Sequence, residues 1–190
     1  MKNIVVGFLM SYDYEKLKLS IPPVYEQADK IYLALDHKQR TWKGETFDVD
    51  PTFFEWLSNF DKHNKIEIYK DNFFVPELNA IQNDTRERHM LSIKMGIGNW
   101  LVQVDSDEIF IDFTQFVKTL RQHDHFLDNP KKNPVQIAGF LIHIYTYLED
   151  GMLYVDEATK VMLATNLPIL ILPNSKSVYI YHYVCYPMFA

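Results

Sequence analysis

The sequence predicts an α/β fold on a mixed, mostly parallel central sheet, and three observations carry that reading. Through the first half, short apolar runs alternate with helix-like segments, the pattern of parallel strands joined by helical crossovers. The second half is richer in strands, which makes the sheet mixed. Between them, Leu101-Val102-Gln103-Val104 is a short, mostly apolar run that stops at Asp105-Ser106-Asp107-Glu108, as a buried strand does where it meets a polar loop.

In chain order, residues 3–10 are apolar and β-branched at their centre and form the first strand, with Ser11-Tyr12-Asp13-Tyr14 as the loop at its carboxyl end. Pro22-Pro23 interrupts any early helix, leaving a helical turn or two over 24–28. Residues 30–35 (KIYLAL) are the second strand and run into Asp36, which reads either as a turn residue or as a carboxylate accepting from a ribose or base. Residues 37–49 are polar and irregular, a loop. Asp50-Pro51 begins a helix, with Asp as cap and Pro in the first turn, and Phe53, Phe54, Trp56, Leu57 and Phe60 give its apolar face. Residues 65–69 alternate as a third strand, and 72–79 form a loop that leaves Phe73 and Phe74 exposed.

The next helix covers 80–98, capped by Asn83 or Asp84, with Met90, Ile93, Ile97 and Trp100 at helical spacing toward the core. Gly96 and Gly98 loosen its end and allow a close turn into the acidic strand. Asp112-Phe113-Thr114-Gln115 opens a helix through His123 in the manner of a capping box. His123-Asp124-His125 reads as a solvated helix end rather than a metal cluster. Residues 134–147 and 152–155 are two strands turning at Asp150-Gly151, and 169–172 and 178–184 are the last two.

The 190 residues suit one domain spanning 1–190, and 47% apolar content supplies a substantial core. A net charge of −6, with no basic run longer than Lys131-Lys132, argues against a nucleic-acid surface. The single cysteine, Cys185, forms no internal disulfide. No apolar run approaches the roughly 18 residues that span a bilayer, so no transmembrane segment is expected. The N-terminal apolar run is too short for a signal peptide, and a cytoplasmic protein, or one on the cytosolic face of a membrane, is expected. The apolar end YIYHYVCYPMFA suggests a domain cut from a longer chain, since free ends are usually polar.

Three carboxylates in four residues at a strand end are expensive to desolvate unless something positive meets them. Ligands of open α/β sheets bind outside the carboxyl ends of the strands. The expected positive partner is therefore a divalent cation, or a cation carrying a phosphate ligand, and hard oxygen donors suit magnesium or manganese. Arg86, Arg88 and Lys94 on the preceding helix add positive charge.

This block resembles the nucleotide-sugar glycosyltransferases of the GT-A fold, above all the family-2-like group. The match runs through 86–110: an Arg-bearing helix, a Gly-containing turn, an aromatic residue and a strand ending in D-x-D. Arg88 stands seventeen residues before Asp105, with Gly98 and Trp100 between them, as in the family. The N-terminal strand, loop and second strand ending at Asp36 match more loosely, where the family surrounds the base and ribose. The loop Leu9-Met10-Ser11-Tyr12-Asp13 departs from the family's P-x-Y-N-like loop, His89 stands where Asn is frequent, and Glu149-Asp150 lies too near the D-x-D for the acceptor-side motif.

The resemblance implies a GT-A-like αβα sandwich with a donor half over 1–110 and an acceptor half over 111–190. It implies a metal-dependent enzyme that transfers a sugar from a nucleoside-diphosphate sugar, a UDP-sugar first among them, to a hydroxyl on a glycan or glycoconjugate. Asp107 would ligate Mn2+ or Mg2+, Asp105 would reach the metal or the ribose, and Ser106 and Asp36 would bind the donor. Arg88 would add charge at the diphosphate or pin Asp105. Several metal-dependent members of the fold use a late His as a further ligand, which brings His182 in VYIYHYV into the set; a core histidine is the alternative. An inverting reaction needs a base, for which Asp156, Glu157 and Glu108 are candidates, each also a plain surface carboxylate.

Other classes fit less well. A haloacid-dehalogenase-type phosphatase places D-x-D near the N-terminus, followed by x-[TV]; here Glu108-Ile109 follows, mid-chain. An EF-hand loop fails because Ile109 stands at a ligand position, and a sugar-nucleotide pyrophosphorylase needs a Gly-rich N-terminal loop. The non-enzymatic alternative is a nucleotide-sugar-binding domain without turnover.

Overall fold

The computed structural model describes residues 2–155, 159–168 and 176–187, the last of these as backbone. The order is β1 (Ile4–Leu9), α1 (Leu17–Ser20), α2 (Pro22–Tyr25), β2 (Lys30–Asp36), α3 (Pro51–Phe60), β3 (Ile66–Asp71), α4 (Ala80–Met95) and β4 (Trp100–Asp105). Then follow β5 (Ile109–Phe110), α5 (Phe113–Gln122), β6 (Val135–Leu148), β7 (Gly151–Tyr154), β8 (Thr159–Thr165) and β9 (Lys176–Pro187). Short 3-10 turns at Tyr14–Lys16 and Asp124–Leu127 complete the described chain.

One mixed sheet carries the fold, ordered β3-β2-β1-β4-β8-β6-β9-β5, with β7 paired to β6. The first four strands are parallel, as the alternating first half requires. From β4 onward the sheet turns mixed: β8 runs antiparallel to β4 and β6, while β6 and β9 are parallel. All six residues of β1 are buried, which is what a central parallel strand covered on both faces requires.

Strand alternation sends side chains to two cores. Ile4, Val6 and Phe8 pack with Leu17, Val24, Phe53, Phe116 and Leu120 from α1, α2, α3 and α5, and Trp100, Val102 and Val104 of β4 face the same way. Val5 and Leu9 pack with Ala34, Leu101, Leu91 and Met95 beneath α4. The helices therefore flank both faces. A Cβ on Gly7 would stand 2.8 Å from Leu91 Cδ2 and 2.9 Å from Met95 Sδ, so the missing side chain is what lets α4 settle onto β1.

Several local expectations change. Asn79, not Asn83 or Asp84, caps α4, in a full capping box with Gln82. Ile93 and Ile97 are 52% and 46% exposed, and the buried face of α4 holds Asn83, Glu87, Leu91, Ser92 and Met95. Phe73 is buried rather than exposed. The β6–β7 turn is Glu149-Asp150, with Gly151 already in the strand. β8 was not anticipated, and the expected strand over 169–172 lies outside the described residues. Asp124 of the His-Asp-His stretch accepts from Trp100 Nε1 at 2.8 Å, a structural tie. Among the described residues no helix is long and apolar enough to cross a membrane.

Candidate functional site

The strand order places a switch point between β1 and β4. The chain leaves β1 toward β2 and β3 on one side and returns to β4 on the other. Neighbouring crossovers then diverge, and a crevice opens outside the carboxyl ends, where ligands of open α/β sheets bind. Leu9 and Asp105 are paired across that point, and both line a pocket of about 440 Å3. Its other walls are Ser11, Tyr12 and Asp13 after β1, Thr41, Trp42, Lys43 and Glu45 of the loop after β2, Ala80 at the start of α4, and Ser106 and Asp107. A wider hollow of about 890 Å3 between Glu26–Asp29, Lys65 and α5 lies away from these strand ends. Two of its cations are committed there: Lys65 Nζ donates to the carbonyls of Tyr25 and Glu26, and Arg121 to that of Lys2.

Arg88 fixes the floor of the pocket. Its Nε donates to Asp84 Oδ1 at 2.7 Å and its Nη2 to Asp105 Oδ1 at 2.6 Å. Of the two roles open to Arg88, the contact with Asp105 is the one the geometry contains. Burial works against the guanidinium's charge, but Asp105 and Asp84 outweigh it, and its pKa rises. For Asp105, burial wins over the attraction of Arg88 and pushes the carboxyl up. Gln103, one turn of pleat earlier on the same face, donates Nε2 to the Arg88 carbonyl at 2.7 Å and to Ser92 Oγ at 2.8 Å, so β4 steadies the helical turn that carries Arg88.

Asp107 projects into the pocket with Lys16 Nζ 3.5 Å from its Oδ2. Ser106 is buried, and its carbonyl accepts from Ser20 Oγ at 2.9 Å. Glu108 turns back: its Oε2 accepts from the Asp105 backbone N–H at 3.1 Å, and burial, then the nearby Asp105 charge, push its pKa up to about 7.

The roof is the turn 41–45, closed by Thr41 N–H to Glu45 O and Gly44 N–H to Thr41 O. Trp42 holds it to α4, donating Nε1 to Glu87 Oε2 at 2.6 Å. Asn83 Nδ2 donates to the Trp42 carbonyl at 3.1 Å. Glu87 is buried, and that burial pushes its pKa up to about 8, the Trp42 bond only partly offsetting it. Gly44 adopts φ +86°, with the Phe74 ring where a Cβ would stand.

Asp36 does not line the pocket. Its carboxylate accepts from Lys38 N–H, from Arg40 Nε and Nη2, and from the backbone N–H groups of Phe73 and Phe74. Burial raises its pKa, but these bonds together, Arg40 foremost, outweigh that effect, so the net shift is downward. It organises the two loops that border the roof.

The strand end therefore brings Asp105, Ser106, Asp107 and Arg88 together, and leaves Asp36 outside the pocket lining, at the end of β2, two strands from β4. Asp156 and Glu157 lie outside the described residues, and so does the side chain of His182, whose backbone belongs to β9. The sequence reading missed Asp13, Lys16, Asp84, Trp42 and Glu87. Asp13 had a visible signal, its place in the loop after β1; Trp42 stood with Phe47 as one of two large aromatics in a polar loop. Among the described residues, no three His, Cys, Asp or Glu side chains converge as a ready-made metal site.

No family model matches the sequence, and no curated protein matches it. Among solved structures, the crystal structure of mannose-6-phosphate isomerase from Helicobacter pylori aligns with a TM-score of 0.41 at 11% identity, over 72% of this chain and 51% of that one. The chain thus spans about half the length of that protein.

Proposed function

We propose that the chain is a glycosyltransferase domain that binds a nucleoside-diphosphate sugar in the pocket between β1 and β4, with Mn2+ or Mg2+ as cofactor. The observation that supports this reading is a charge imbalance at the switch point. Five carboxylates, Asp13, Glu45, Asp84, Asp105 and Asp107, stand at the pocket with three cations, Lys16, Lys43 and Arg88. Arg88 neutralises the wall, and Asp107 is left with a long contact to Lys16. A pocket with excess negative charge repels a bare diphosphate and suits one that arrives with a divalent cation.

The donor set fits such an ion. Magnesium and manganese need only one or two carboxylates when phosphates supply further oxygens, so Asp107, with Asp13 beside it, would suffice without a third protein ligand. When bound, the ion supplies Lewis-acid stabilisation of the charge that develops on the departing diphosphate. The protein's part is positional. Arg88 holds Asp105 and keeps it from Asp107, Trp42 and Glu87 keep the roof turn over the cavity, and the buried Ser106 fixes where Asp107 projects.

Calorimetric titration of uridine, guanosine and thymidine diphosphate sugars, with and without Mn2+, tests this. Binding is expected with metal and lost in Asp107→Asn, and sugar transfer or donor hydrolysis should fall by about 100-fold or more in that variant. The absence of metal-dependent binding for every such donor refutes the reading. Binding without turnover assigns the pocket instead to a nucleotide-sugar-binding module.

A further inference from the structure

Lys16 ends the 3-10 turn Tyr14–Lys16 that follows β1, and it reaches across to the end of β4. Its Nζ stands 3.5 Å from Asp107 Oδ2 and 3.9 Å from Asp13 Oδ2. Neither distance is that of a tight charge-assisted hydrogen bond, which lies near 2.8 Å. The ammonium hovers between two carboxylates as a charge, while its own segment is firmly placed. Lys16 N–H donates to Asp13 O at 3.0 Å, and Ser20 ties the next turn to the Ser106 carbonyl. Both carboxylates line the pocket, whereas Lys16 does not. A point charge on a flexible four-carbon stem, approaching from outside the cavity, can withdraw without disturbing either wall.

We infer that Lys16 is the resident counter-ion of Asp107, and that it sets the affinity for the divalent cation by competing with it for that carboxylate. The inference rests on the function proposed above. In the free protein the ammonium keeps Asp107 and Asp13 from repelling one another, so the loop after β1 and the end of β4 stay together. On loading, the divalent charge takes over that role, and the Lys16 side chain moves toward solvent.

The test is Mn2+ titration by electron paramagnetic resonance, with and without UDP, on the wild-type chain and on Lys16→Met, Lys16→Arg and Asp107→Asn. Lys16→Met is expected to bind Mn2+ about tenfold more tightly than wild type. Lys16→Arg should stay within about twofold, and Asp107→Asn should bind none at this site. Lys16→Gln carries the same expectation as Lys16→Met, should the latter fail to fold by circular dichroism. Equal or weaker Mn2+ binding by the folded neutral variant overturns the inference, as does absence of Mn2+ binding by both wild type and that variant. A Lys16-dependent Mn2+ affinity without binding of any nucleoside-diphosphate sugar upholds the inference and removes the glycosyltransferase reading. Sugar-nucleotide binding with unchanged Mn2+ affinity in the variant does the reverse.

Discussion

Glu87 and Arg88 are consecutive on α4 and hold opposite walls of one pocket: Glu87 accepts from Trp42 Nε1 at 2.6 Å in the roof, and Arg88 donates to Asp105 at 2.6 Å in the floor. Adjacent residues on a helix point about 100° apart, which is the divergence needed to span a crevice from one side. The helix thus works as a clamp, and its seat on β1 sets the width of the opening.

Removing the guanidinium isolates two acids. Arg88→Met leaves Asp84 and Asp105 facing each other with no cation between them. A loss of about 2–3 kcal/mol is expected, below the full value for a buried pair because both carboxylates retain some exposure. The midpoint of urea unfolding measures it. Arg88→Lys should recover only part, since an ammonium cannot fork to both partners.

Glu87 makes stability depend on pH with a definite sign. Its folded pKa is raised by burial from an ordinary 4.5 to about 8. The folded state therefore binds the proton more tightly than the unfolded chain. The stabilisation is complete below about pH 4.5 and is lost as pH rises through about 8. Glu87→Gln keeps an acceptor for Trp42 but has nothing to ionise. Denaturant curves at pH 5.5 and 8.5 should differ less in the variant than in wild type, and an unchanged difference would show that Glu87 does not carry this dependence.

Gly7 sets the seat of α4. Gly7→Ala puts a Cβ against Leu91 and Met95, and overpacking of this kind costs about 1–3 kcal/mol. Because the helix must lift, Arg88 withdraws from Asp105 as well. Ligand affinity should fall together with the melting temperature, and pairing Gly7→Ala with Leu91→Ala should restore part of both.

Asp36 distinguishes a loop anchor from a nucleotide ligand. Asp36→Asn loses the Arg40 ion pair and weakens the bonds from Phe73 and Phe74, so a loss of about 2 kcal/mol in stability is expected. A variant that unfolds like wild type but binds nucleotide poorly would return Asp36 to the ligand-binding set.

The strand framework was legible because it follows apolar runs and their punctuation. Runs 3–10, 30–35 and 101–104 became β1, β2 and the body of β4, and Asp50-Pro51 did start α3. The phase of α4 was not legible. Its inward face carries Asn83 and Glu87 because it binds loop backbone and an indole N–H, while Ile93 and Ile97 look outward. Counting apolar residues on such a helix points to the wrong side. Phe73 was misread for a related reason: its backbone N–H is drawn onto Asp36, which folds the loop inward and buries the ring. In the pocket, the acidic strand end stood out by density of charge. Of its counter-ions, Arg88 was legible from its spacing to Asp105, whereas Lys16 was not, since it lies 91 residues from Asp107 and only the sheet brings them together.

That separation along the chain has a thermodynamic corollary. Each edge of the crevice comes from a different segment, so no single loop of the unfolded polypeptide can assemble it. Whatever enters must select the native state alone, and occupancy then adds to the free energy of unfolding as the logarithm of free ligand over its dissociation constant. The folding equilibrium of this chain is itself a gauge of what the crevice accepts.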